Sequence, residues 1–207
     1  MNTIDYIKIL VDEIHSTVVA TNDKNGHPIA RVIDMMLYDE NGLYFLTAKG
    51  KEFYSQLMEQ RYVAVSGMTA GEGTMNKKSV SIHGKVRNIG KRCLEEIFEK
   101  NQYMAEIYAD PMTREALEVF QIYEAKGEYF DLSTKPITRG NFSIGEVEED
   151  IHGYFITKQC CGCKICYSKC PQKCIDINQK PLIINQEHCL RCGNCMKYCP
   201  FEAVEKR

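Results

Sequence analysis

The chain has 207 residues, 44% of them hydrophobic and 26% charged, with a formal net charge of −2. That length holds one large domain or an ordinary domain with a small one, and the composition is globular rather than disordered or fibrous. The near-neutral balance gives no electrostatic pull toward nucleic acid or an anionic membrane, and neither is expected as a partner.

The opening MNTIDYIKIL lacks a basic segment followed by an apolar one, so no secretory signal is expected. No apolar run approaches the length of a membrane span, which points to the cytoplasm. Ile4, Ile7, Leu10, Val11 and Ile14 recur at helical spacing and predict an amphipathic helix. Val18, Val19 and Ala20 lead into the turn signal Asn22-Asp23-Lys24-Asn25-Gly26, and a strand is expected over 29–37. A second turn, Asp39-Glu40-Asn41-Gly42, precedes a strand over 43–47. A helix is expected over 52–60, strands over 62–68 and 79–89, helical stretches across 91–120 and a strand over 123–132. Many hairpin-linked strands with few helices make an α+β, mainly β domain, built as a small barrel.

Within this region, Gly26-His27-Pro28-Ile29-Ala30-Arg31-Val32 is followed by Leu43-Tyr44-Phe45-Leu46-Thr47, then Gly50-Lys51 ahead of Tyr54, Gln56 and Leu57. Ile82-His83-Gly84-Lys85-Val86 comes later. The arrangement resembles the pyridoxamine 5′-phosphate oxidase-like flavoproteins, and the likeness runs over about 130 residues. The resemblance implies a split β-barrel that binds FMN, and a homodimer with flavin at the subunit interface. It also implies cofactor contacts from Arg31, Val32, Ile33, Thr47, Lys51 and Gln56. The chemistry suits a phosphate dianion: Arg31 and Lys51 supply charge and Thr47 a hydroxyl donor, while the backbone of Val32 and Ile33 would line the ring. Taken without the family pattern, Arg31 and Lys51 read better as ordinary solvated charges and Thr47 as a strand residue. Vitamin-processing members hold the pyridoxal ring with a C-terminal element containing Trp and Arg. This chain has no Trp, so oxidation of pyridoxamine phosphate is not implied.

The histidines, at 15, 27, 83, 152 and 188, are scattered, and only His83, on an expected barrel strand, merits a test. No residue is assigned as catalytic. The acidic stretch from Glu146 to Asp150 reads as a linker, dividing the chain into a domain over 1–147 and another over 148–207.

Of 11 cysteines, ten lie between Cys160 and Cys199, too concentrated for a disulfide scaffold. Cys160, Cys163, Cys166 and Cys170 before Pro171 form a C-x2-C-x2-C-x3-C-P run, and Cys189, Cys192, Cys195 and Cys199 before Pro200 repeat it 29 residues later. Such runs ligate pairs of [4Fe–4S] clusters, the fourth cysteine of each serving the other cluster. One cluster is therefore expected on Cys160, Cys163, Cys166 and Cys199, the other on Cys189, Cys192, Cys195 and Cys170. Zinc is the competing reading, but it has no use for a third cysteine at the same gap or for the proline. Each repeat, about 150–179 and 180–207, reads as strand, cysteine loop, helical turn, strand. This module resembles bacterial-type two-cluster ferredoxins, which implies one-electron transfer at low potential. Cys174 falls opposite Ala203 and reads as a small buried residue; Cys161 and Cys93 are not expected to be ligands.

Flavin and clusters on one chain make an oxidoreductase passing electrons between two [4Fe–4S] clusters and FMN. The far end is a protein redox partner or a small-molecule electron acceptor. The alternative is an electron carrier or redox sensor with no substrate of its own.

Overall fold

The computed structural model describes residues 1–148 and 152–207. The last two linker residues, Glu149 and Asp150, lie outside the described residues. By compactness the chain forms two units: one of 1–72, 78–129 and 141–148, the other of 73–77, 130–140 and 149–207.

The first unit opens with α1, Thr3–Lys8, started by a capping box in which Asn2 and Asp5 exchange side-chain and backbone bonds. The expected amphipathic helix continues as a π-helix, Ile9–Ile14, and buries Tyr6, Ile7, Ile9 and Leu10. Next come β1 (Ser16–Asn22), β2 (Pro28–Asp34), β3 (Leu37–Asp39), β4 (Gly42–Ala48), α2 (Glu52–Gln60), β5 (Tyr62–Met68) and β6 (Lys78–Gly90). After α3 (Leu94–Lys100) and α4 (Met104–Ile107) the chain runs through β7 (Leu117–Asp131) and β8 (Thr138–Ile144). The eight strands make one sheet in the order β2-β1-β5-β6-β7-β4-β3, with β8 on β7, the expected mainly β architecture.

Three expectations need correction. The strand expected over 29–37 is broken at Met35 and Met36, where the Met35 amide bonds the His15 carbonyl and the Met36 amide bonds that of Tyr44. Met35 packs into one hydrophobic core and Met36 into another, so the backbone has to turn over between them. The region 117–120, expected as helix, belongs to the start of β7, which pairs with β4 from Leu43↔Ile122 to Ala48↔Leu117. Leu117 and Val119 face one core while Phe120 and Ile122 face the other, and burial on both sides erases the alternation that marks a strand. The strand β8 has no counterpart among the expected elements; Pro136 and Gly140 interrupt its pattern.

The two cores sandwich β4. Phe45 stacks on Phe120 with centroids 5.8 Å apart and on Phe53 of α2 at 5.9 Å, while Tyr44 and Leu46 face Leu94, Ile97 and Phe98 of α3. Phe45 and Phe120 are fully buried, each contributing about 2–3 kcal/mol of transfer free energy.

In the second unit β9 (Tyr154–Ile156) pairs with β12 (Val204–Lys206), and β10 (Ile175–Asp176) with β11 (Ile183–Ile184). The short helices α5 (Ile165–Lys169) and α6 (Asn194–Lys197) each follow a residue with positive φ, Lys164 and Gly193. Gly162 and Arg191, and likewise Lys173 and Glu202, share that conformation at the same 29-residue offset, so the two cysteine loops repeat in backbone as well as in sequence. Ile175, Leu182, Ile184 and Val204 pack with the cysteines into a small core.

Candidate cofactor sites

In the second unit the strands bring the N-terminal end of one repeat beside the C-terminal end of the other. A small hollow is lined by Cys160, Cys163, Cys166 and Cys199 among Ile156, Leu182, Phe201 and Val204. A second is lined by Cys170, Cys189, Cys192 and Cys195 among Tyr154, Ile175, Ile184 and Leu190. Each hollow thus takes three cysteines from one run and the fourth from the other. Among the described residues no three His, Cys, Asp or Glu converge tightly enough to hold a single metal ion; the thiols stand around the hollows instead. Backbone amides already point at sulfur, from Arg191 to Cys189 and from Ala203 to Cys199, both at 3.3 Å. Such donors favour the thiolate and tune the potential of a bound cluster. The thiols of each apolar hollow, with amide donors beside them, fit a cubane, and burial pushes the Cys195 pKa up to about 11. Cys161, though exposed, also lines the first cavity, and Cys174, buried, lines the second.

In the first unit, the inward face of β1 and β2 carries Thr21 and Arg31 toward α2. Arg31 donates through Nη1 to Thr21 Oγ1 at 2.5 Å and through Nη2 to Gln56 Oε1 at 3.0 Å. Thr21 donates to the same Gln56 oxygen at 2.6 Å, and Gln56 Nε2 donates to Glu52. The guanidinium lies 4.5 Å from the Phe53 ring centroid. Burial lowers the Arg31 pKa, and Glu52 partly opposes that. The guanidinium is therefore fixed in place before any ligand arrives, and the pairing joins two of the expected FMN residues.

Lys51 is the N-cap residue of α2, and no side chain caps that helix, so its first amides remain available to an anion. Thr47 is buried on the α2 side of β4, and its hydroxyl has no hydrogen-bond partner. An orphaned hydroxyl, an uncapped helix start and a fixed guanidinium suit a phosphate ester, as in FMN. Val32 and Ile33 alternate: Val32 is 66% exposed on the outer sheet face and Ile33 packs inward, so the backbone is what they share. His83 stands on the outer face of β6 with Nδ1 2.7 Å from the Tyr62 hydroxyl.

Sequence reasoning missed Thr21 and Phe53; the signal for Thr21 was its place on the inward side of β1, in step with Val19. It also missed Glu118, which accepts from Tyr54 at 2.7 Å and from Asn88, and pairs with Lys49 at 3.0 Å. Those bonds, led by Asn88 and Tyr54, hold its carboxyl at about 2.

Both regions of the chain have counterparts among known proteins. The 4Fe-4S binding domain pattern matches residues 182–205. One component of an ion-translocating oxidoreductase complex from Methanosarcina acetivorans is 42% identical over 48 residues, 23% of this chain and 18% of that protein. Ferredoxin-1 of Caulobacter vibrioides is 35% identical over 54 residues, 25% of this chain and 48% of that protein. The chain thus spans less than half the length of these two curated relatives. The crystal structure of a NimC/NimA family protein from Clostridium acetobutylicum superposes with a TM-score of 0.53 and 20% identity, covering 68% of this chain and 89% of that one. The Pyridoxamine 5′-phosphate oxidase pattern matches residues 5–131, the stretch that carries Arg31, Thr47, Lys51 and Gln56. On that match the chain belongs to the pyridoxamine 5′-phosphate oxidase family, with a 4Fe–4S ferredoxin-type domain following the flavin-type fold.

Proposed function

We propose that this chain is an iron–sulfur flavoprotein oxidoreductase that passes electrons between two [4Fe–4S] clusters and FMN, and onward to a small-molecule acceptor or a protein redox partner. The observation that carries the reading is the pair of cysteine-lined cavities, each completed by a thiol from the opposite repeat. Bound FMN handles electrons singly or in pairs and a cubane handles them one at a time, so the pair joins one-electron to two-electron chemistry.

The chain's own residues supply the holding and the tuning. Cys160, Cys163, Cys166 and Cys199 would ligate one cluster, and Cys170, Cys189, Cys192 and Cys195 the other. Arg31, Lys51 and Thr47 would take the FMN phosphate, with Gln56 fixing the guanidinium and the backbone of Val32 and Ile33 lining the ring. The eight strands are read as the split barrel of the family. The domain division at 147/148 belongs to the same reading, as does a cytoplasmic homodimer. In support of a dimer, Val18, Val32, Tyr62 and Met68 are 47%, 66%, 47% and 52% exposed on the outer face of β1, β2 and β5.

The test is anaerobic reduction of the holoprotein while the flavin and cluster absorption bands are followed together. Coupled bleaching is expected. A flavin that stays oxidised beside reduced clusters overturns the reading.

A further inference from the structure

Charge is divided unevenly along the chain. Of its 26 Lys and Arg and 28 Asp and Glu, residues 152–207 hold nine and four, which leaves the preceding part acidic. Two cubanes on eight thiolates would add about −4, and the ferredoxin-type segment would still stay slightly positive. A cluster-binding segment that remains cationic attracts an anionic partner.

The positive charge gathers beside the cysteine loops. Lys164 precedes α5 and lines the first hollow together with Phe201. Ile165 and Lys169 lie four residues apart on α5, one turn along the same face. Lys169 Nζ is 5.2 Å from the centroid of the Tyr198 ring and Lys197 Nζ is 5.5 Å from it, so two ammoniums share one ring. The Asn194 side-chain amide donates to the Lys169 carbonyl at 3.3 Å, which ties the start of α6 to the end of α5. Among the described residues no carboxylate pairs with Lys164, Lys169 or Lys197. Glu205 is taken by Arg207, and Asp176 by Asn178 and Gln179. The three lysines outnumber Glu202, the acid that follows Phe201.

Ile165, Tyr198 and Phe201 are exposed, as is the thiol of Cys163. Apolar and aromatic side chains within a charged rim are the anatomy of a docking surface. Cys163, Lys164 and Phe201 all line the first hollow, so whatever docks here meets the edge of a cluster site. We propose that this face docks a small acidic electron-carrier protein, with carboxylates on Lys164, Lys169 and Lys197 and apolar contact on Ile165, Tyr198 and Phe201. One electron crosses per encounter: the carrier loses it as the cluster gains it, or the reverse, and no bond is made or broken. The proposal rests on the electron-transfer reading and adds to it the partner's chemistry and the port.

The test uses the holoprotein with an acidic flavodoxin and, for contrast, a basic cytochrome c. Anisotropy of dye-labelled flavodoxin gives the affinity with every cofactor oxidised, and stopped flow gives the rate at which reduced flavodoxin reduces the clusters. The double variant Lys169→Glu/Lys197→Glu is expected to weaken binding and slow reduction at least roughly tenfold, and raising salt from about 20 to about 200 mM to act the same way on wild type. Lys24→Glu, a charge reversal in the β1–β2 turn, is expected to stay within about twofold of wild type. Dithionite needs no docking face and is expected to reduce the clusters of wild type and variants to the same extent. Unchanged affinity in the double variant, or cytochrome c bound as tightly as flavodoxin, overturns the docking face and leaves electron transfer standing. Clusters that dithionite cannot reduce overturn the electron-transfer reading, and the docking face with it. Association of the holoprotein with itself or with duplex DNA, abolished by the same two substitutions, gives the face to another occupant and also overturns the proposal.

Discussion

The sulfurs of Cys170 and Cys174 face each other 3.6 Å apart inside the cavity that Cys189, Cys192 and Cys195 also line. Cys170 comes from the first repeat and completes a set otherwise drawn from the second. Cys174 makes a fifth sulfur in that hollow. Its hydrogen bond with Cys189, its burial and its bond with Cys170 all push its thiol pKa up.

That difference separates ligand from neighbour. Cys170→Ala is expected to lose one cluster, about four of the roughly eight irons per chain, while Cys174→Ala keeps them all. Iron and acid-labile sulfide assays on anaerobically purified protein decide this. Equal loss in both variants would make Cys174 a ligand.

Arg31 is held by a fork, through two nitrogens, to Thr21 and Gln56. Arg31→Lys keeps the charge but not the fork, and FMN affinity is expected to fall about tenfold, against about a hundredfold for Arg31→Ala. Fluorescence quenching on adding FMN to flavin-stripped protein gives both values. Wild-type affinity in Arg31→Ala would place the phosphate elsewhere.

Gly84 on β6 lies so close to β7 that an added methyl would run into the Glu124 carbonyl and Ala125. Gly84→Ala is expected to cost about 1–3 kcal/mol, as overpacking does. Gly50→Ala meets nothing within 4 Å and is the control, expected to stay within about 0.5 kcal/mol. Urea denaturation of the two variants beside wild type checks this.

Glu118 provides a pH dependence. Its carboxyl sits at about 2, against an ordinary value of 4.5. The stabilisation is complete above the ordinary value and is lost as pH falls toward 2. After allowance for solvent screening it amounts to roughly 1–2 kcal/mol. Glu118→Gln is expected to remove this part of the acid sensitivity, so thermal midpoints of variant and wild type should converge as pH falls from about 5 toward about 2. Parallel curves would assign the acid loss to other carboxylates.

The hairpins of β1, β2 and β4 to β6 are legible in the sequence, because turn residues and alternating burial coincide there. The first stretch of β7 is not. Between Leu117 and Ile122 both faces are buried, and a strand covered on two sides has no period of two to detect. Met35 and Met36 read as one strand with their neighbours, since nothing local marks a chain that crosses from one core to the other.

The cofactor residues divide in the same way. Local spacing is enough to single out eight cysteines, because a cubane needs thiols at short fixed gaps, and a second copy of the run repeats the demand. The resemblance to the flavoprotein family picks out Arg31, Thr47, Lys51 and Gln56, but not Thr21, Phe53 or Glu118, whose partners come from distant segments. His15, Asp34 and Tyr103 come from separate segments of the chain, and only the folded chain brings them together. Ligand chemistry that fits within one loop is written in sequence order, whereas hydrogen-bond geometry between elements depends on how the sheet and helices pack, so it is set in three dimensions.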